Sequence, residues 1–79
     1  MAVDTDTLVD ARIMEVLLVD ATQILPEARL GDDLGATSLV MVELLVAIEE
    51  TFGFTVPEVD SRRIVTVADL HKLVERLRQ

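Results

Sequence analysis

Apolar residues recur along this chain at steps of three and four, the period of a helix that buries one face. Val9, Ile13, Val16, Leu17 and Ala21 form the first such series, with Asp10, Arg12, Glu15 and Asp20 between them. The spacing predicts a helix over about residues 5–21, with Asp4, Thr5 or Asp6 available to cap it. Pro26 closes that region, and a long connection runs through residues 26–36. Loops of this length without regular structure are uncommon in compact domains and are frequently functional. Leu30 and Leu34 are its expected anchors to the core.

A second helix is expected from Ser38 to Phe52, stopped by Gly53 in a left-handed conformation. Its pattern is unusual, because Glu43 is the only charged residue between Leu39 and Ile48. A helix apolar nearly all round is buried on several sides or offers apolar surface to something else. In so small a chain it cannot be wholly surrounded, so parts of Leu39, Val40, Met41, Val42 and Val46 are expected at the surface, as a partner site. Phe54-Thr55-Val56-Pro57 reads as extended, since the residue before a proline avoids the helical region. A short helical turn is expected over residues 58–64. Thr66 and Asp69 have the spacing of a capping box. The last helix follows over about residues 67–77, with Val67, Leu70, Val74 and Leu77 inward. The expectation is a single all-α domain spanning residues 1–79, a four-helix bundle of three main helices, one short third helix and a long first loop.

Composition narrows the function. Of 79 residues, 51% are hydrophobic, which excludes a disordered acidic tail. The absence of cysteine removes disulfides, thiolate metal sites and a thiol nucleophile of the chain's own. The net charge of −8 argues against a nucleic-acid backbone as partner. No apolar run approaches the roughly 18 residues of a membrane span. The acidic start, Met1 to Asp6, lacks the basic opening of a signal peptide. A soluble cytoplasmic protein is the expectation. Charge is also polarised: residues 1–60 hold 13 acidic and two basic side chains, whereas residues 61–79 hold two acidic and five basic ones. An acidic body suits a partner that is basic where the two meet, and it equally serves solubility.

No acid–base constellation emerges, and no catalytic residue is assigned. His71 reads as a solvent-facing or half-buried residue of the last helix, and Asp32 and Asp33 as solvated loop charges, not metal ligands. Ser38 stands where the long loop enters the apolar helix. A serine there is ordinarily a cap, a role its neighbour Thr37 fills equally well. The alternative is a covalent phosphodiester on the serine, which a helix N-terminus stabilises through its free N–H groups and dipole by about 0.3–1 kcal/mol.

The segment from Asp33 to Phe54 resembles the acyl carrier proteins of fatty-acid and polyketide synthesis. Leu34-Gly35, Ser38-Leu39, Val42-Glu43-Leu44, Glu49-Glu50 and Phe52-Gly53 stand in the order and spacing of that family, and Val56-Pro57 and Thr66-Val67 extend the match. The resemblance implies a non-catalytic carrier whose phosphopantetheine arm is attached to Ser38 by a phosphopantetheinyl transferase. Acyl groups would ride on it as thioesters between acyl-loading enzymes, acyltransferases and ketosynthases. It further implies Thr37, Leu39, Val40, Met41, Glu43, Val46 and Glu50 as partner-docking positions, and Leu44, Ile48 and Phe52 as candidates for an acyl pocket. A monomer is expected of a protein that docks with several enzymes in turn. Two positions depart from the family pattern: Thr37 replaces the usual Asp before the serine, and Val40 stands where acid is common in fatty-acid carriers. Both point toward a discrete carrier of a polyketide or other specialised pathway. An aminoacyl or peptidyl carrier is the nearest rival, and an unmodified helical interaction module the rival of another class.

Overall fold

The computed structural model describes residues 4–78; residues 1–3 of the acidic start and Gln79 lie outside that range. Four α-helices make up the fold: α1 Thr5–Leu17, α2 Ser38–Phe52, α3 Glu58–Ser61 and α4 Val67–Leu77. Helix α1 packs against both α2 and α4. The core lies among these three, where Val9 and Ile13 of α1 meet Leu44 and Ile48 of α2 and Val67, Leu70 and Val74 of α4.

The first helix ends four residues earlier than the expected position 21. Leu18 takes a left-handed conformation (φ 57, ψ 46) and turns the chain away from the helix axis. Asp20 and Gln23 then close a reciprocal capping box around a separate 3-10 turn, Ala21–Gln23. That local hydrogen bonding competes with continued α-helix, and Ala21 is exposed, not inward. At the start of α1, Asp4 is the N-cap residue, but its side chain makes no capping hydrogen bond. The third helix is also shorter than residues 58–64. It ends at Ser61, and Ile64 packs on the core from an irregular segment.

The long connection is more ordered than its sequence suggests. Asp33 Oδ2 accepts the Arg29 N–H at 2.8 Å and so folds the loop on itself. Leu30 N–H donates to the Val65 carbonyl, Val67 N–H to the Ala28 carbonyl and Ala68 N–H to the Pro26 carbonyl, each at 2.9 to 3.0 Å. These bonds bolt the loop to the entry of α4. Leu30 and Leu34 are buried beneath it, as expected of its anchors. At that same entry the Thr66–Asp69 capping box is complete. Gly53 ends α2 at φ 76, where a residue with a Cβ would be strained.

Candidate functional site

Helix α2 begins at the exposed end of the ordered loop. Thr37, in extended conformation, is its N-cap, and the Thr37 Oγ1 accepts the Val40 N–H at 3.2 Å. The choice between Thr37 and Ser38 as cap is therefore decided for Thr37. Ser38 becomes the first helical residue, exposed to solvent, with its hydroxyl outside the cap. The Thr37 carbonyl accepts the Met41 N–H at 2.8 Å, so the N–H groups of Ser38 and Leu39 are left without intrahelical partners, as in any first turn. An accessible hydroxyl beside unpaired amides at the positive end of a 15-residue helix is a fitting place for a phosphodiester.

The two sides of α2 differ sharply. Leu44 and Ile48 are wholly buried, and Met41, Leu45 and Phe52 pack partly against the core. The opposite side carries Leu39, Val42, Glu43, Val46 and Glu50, all exposed. Leu39, Val42 and Val46 retain 70%, 58% and 45% of their accessible surface. This apolar stripe, edged by two carboxylates, runs down the helix from Ser38. Of the positions named as docking candidates, Thr37, Leu39, Glu43, Val46 and Glu50 lie exposed, while Val40 and Met41 are half-buried. Val42 belongs to the stripe as fully as Leu39 does.

Beyond the stripe, Glu49 has a structural role that its place in a Glu-Glu pair does not reveal. Its Oε2 accepts the Val56 N–H at 2.7 Å and ties the extended segment before α3 back onto α2. Phe52 and Phe54 stack across Gly53 with ring centres 5.8 Å apart. Of the acyl-pocket candidates, Leu44 and Ile48 are wholly buried and Phe52 is half-buried, and a separate cleft opens beside Met41 of α2. It has a volume of about 220 Å³ and is walled by Leu30, Met41, Ile64 and Val65, with Arg29 and Asp32 at its rim. His71 is half-buried and is held by α1, its Nε2 lying 2.7 Å from Asp10 Oδ1 and its Nδ1 3.8 Å from Asp6 Oδ2. That arrangement staples α4 to α1 and leaves the histidine outside the α2 site.

Residues 7–76 match the family model for the phosphopantetheine attachment site. Curated relatives agree. Acyl carrier proteins of Helicobacter pylori strain G27 and strain ATCC 700392 / 26695 are 48% and 46% identical over 67 residues, covering 85% of this chain and 86% of theirs. The chain belongs to the acyl carrier protein family. A solved structure from Mycobacterium tuberculosis, provisionally assigned as an acyl carrier protein, superposes with a TM-score of 0.87 at 29% identity, covering 92% of this chain and 97% of that one. The chain is thus an all-α, non-catalytic carrier of a phosphopantetheine arm. The arm supplies the thiol that a cysteine-free chain lacks. Family members serve phosphopantetheinyl transferases and acyl-handling enzymes in general. Among the described residues no helix is long and apolar enough to cross a membrane.

Proposed function

We propose that Ser38 is the attachment residue and that the carrier delivers acyl thioesters to enzymes of a polyketide or related specialised pathway. The observation that carries the site is the division of labour at the start of α2. Thr37 caps the helix, and the adjacent Ser38 hydroxyl is exposed beside unpaired amides. The pathway reading is supported by Thr37 and Val40, whose neutral side chains make this end of α2 less acidic than the usual fatty-acid pattern. Leu39, Val42 and Val46, with Glu43 and Glu50 beside them, form the surface on which loading enzymes, acyltransferases and ketosynthases dock. The carboxylates steer basic enzyme patches and set encounter rates more than affinity. Tethering raises the effective concentration of cargo at each docked active site. We place the protein in the cytoplasm as a monomer.

Intact mass before and after incubation with coenzyme A and a broad-specificity phosphopantetheinyl transferase tests the site. The parent chain should gain one phosphopantetheine, whereas Ser38→Ala should keep its helical spectrum and gain nothing. Attachment to Ser38→Ala would refute the assignment.

A further inference from the structure

Another cleft opens between α4 and the segment around α3, and its charge opposes that of the acidic body. Ile64 and the buried Leu73 give it an apolar part, and Arg63, Lys72 and Arg76 stand around them with Asp60 and Asp69. Both carboxylates are already engaged. Asp60 Oδ1 lies 2.7 Å from Arg76 Nη2. Asp69 Oδ2 accepts the Val65 and Thr66 N–H groups at 3.0 Å each. Arg63 and Lys72 are exposed, and neither has an ion-pair partner among the described residues. Two of the three cations are therefore open to a further anion.

The chemistry of the lining defines that anion. Three cations against two carboxylates leave one positive charge in excess. A single carboxylate matches it, whereas the second charge of a phosphate dianion would face Asp60 and Asp69. At about 200 Å³ the cleft is below the roughly 300 Å³ at which ordinary ligand pockets begin, so it admits a side chain better than a whole small molecule. Val59 and Val65 adjoin the lining residues Asp60 and Ile64 in the chain and are 57% and 49% exposed. They offer the apolar contact that a protein interface joins to its polar rim. The overall charge of −8 does not forbid an acidic partner. The molecule measures 32 × 29 × 19 Å, and the Debye length at physiological ionic strength is about 8 Å, so acids on remote faces are largely screened from the cleft. We infer that this cleft is a second docking site, for an acidic protein segment that places one Asp or Glu carboxylate between Arg63 and Lys72 and apolar side chains on Val59 and Val65. It shares no residue with the stripe of α2, so basic and acidic partners are recognised by different residues. The inference does not depend on which residue carries the arm.

Three probes provide the test: the blocked peptide Leu-Glu-Leu-Ala, its counterpart Leu-Gln-Leu-Ala, and inorganic phosphate. Each is titrated to millimolar concentration into the full chain carrying its arm, at about 0.15 M ionic strength, and amide chemical shifts report the site. The Glu peptide should move the amides of Arg63, Ile64, Lys72, Leu73 and Arg76 and leave those of Leu39, Val42 and Val46 in place. The Gln peptide and phosphate should move them far less. Raising the salt to about 1 M, where the Debye length is about 3 Å, should abolish the Glu-peptide shifts. Arg63→Gln and Lys72→Gln should each weaken binding by up to about fivefold, the range of a single exposed ion pair. The double variant should bind the Glu peptide no better than the parent binds the Gln peptide. Both positions are exposed, and the probe-free spectra verify the folds. No shift with the Glu peptide, or equal shifts with the Gln peptide, would overturn the site. Equal shifts with phosphate would make it a small-anion site, and movement of the α2 amides would place the acidic segment elsewhere. Shifts of the cleft and α2 amides with protein concentration alone would make a second copy the occupant. Each of these three outcomes would also overturn the inference.

Discussion

Leu18 offers the cleanest test of how local backbone shapes this fold. It closes α1 at φ 57 and is the only non-glycine with positive φ among the described residues. Its side chain is 88% exposed. Left-handed backbone costs a residue bearing a Cβ about 1–2 kcal/mol, a strain that glycine avoids. Glycine in turn surrenders about 0.5–1 kcal/mol more chain entropy than alanine on folding. Little packing is at stake, because only about an eighth of the leucine surface is withdrawn from water. A fully buried leucine gains about 1.5–3 kcal/mol, so this one gains a few tenths. The balance predicts that Leu18→Gly stabilises the protein by about 0.5 kcal/mol, or about 2–4 °C in Tm for a chain of this size. Leu18→Ala keeps the Cβ and the strain, and should change stability by less than about 0.5 kcal/mol. Urea unfolding followed by far-ultraviolet circular dichroism measures both, and an unchanged slope assigns the difference to stability. Destabilisation of both variants by about 1 kcal/mol or more would refute the argument, since it would mean that the exposed leucine makes contacts worth more than its strain.

Three further outcomes follow from particular hydrogen bonds and charges. Thr37→Ala removes the acceptor of the Val40 N–H and should cost about 1 kcal/mol in urea unfolding, whereas Thr37→Asp should retain the cap; equal stability of Thr37→Ala and the parent would show that the cap is dispensable. Glu43→Lys should slow reaction with basic partner enzymes at low salt and leave stability within about 0.5 kcal/mol, and partner kcat/KM values indifferent to the change would place the acidic docking edge elsewhere. Asp69 accepts the Thr66 and Val65 N–H groups, and these, with the Thr66 hydroxyl and nearby Lys72, hold its carboxyl below its ordinary range. A depressed folded value means that its stabilising contribution is complete above the unfolded value of about 3.9 and is lost as pH falls through the folded one. Asp69→Asn should therefore flatten the decline of stability in acid, and an unaltered decline would exclude Asp69 as a cause.

The helices were legible wherever sequence period and end signals agreed. Ser38 to Phe52 carries an apolar run and a terminal glycine, and its observed bounds coincide with the expected ones. The same holds for α4, where the Thr66–Asp69 box sets the start. The periodicity alone overextends the first helix, because Ala21 continues the three-and-four spacing, while the competing Asp20–Gln23 bonds are local and leave no periodic trace. Nor does composition reveal that the loop from Pro26 to Ala36 is ordered, since its bonds run to Val65, Val67 and Ala68 far along the chain. Glu49 was obscured for a similar reason: beside Glu50 it looks like surface charge, and only the returning Val56 backbone gives it a partner.

The start of α2 shows why Thr37 changes more than it disrupts. An acidic residue before the serine can do two things at once, accepting the orphan N–H of the first turn and adding negative charge to the docking face. Thr37 performs the first through Oγ1 and contributes nothing to the second. Val40 adds no charge either, so the nearest acid along α2 is Glu43, more than a turn beyond Ser38. A phosphodiester on Ser38 would then be the principal negative charge at the helix N-terminus, facing the dipole without a competing carboxylate on the adjacent residue. Enzymes that recognise this end of the helix would meet the arm and the exposed Leu39 before they meet a side-chain charge. Selectivity at the entry should accordingly rest on shape and apolar contact, with Glu43 and Glu50 steering from farther down the helix.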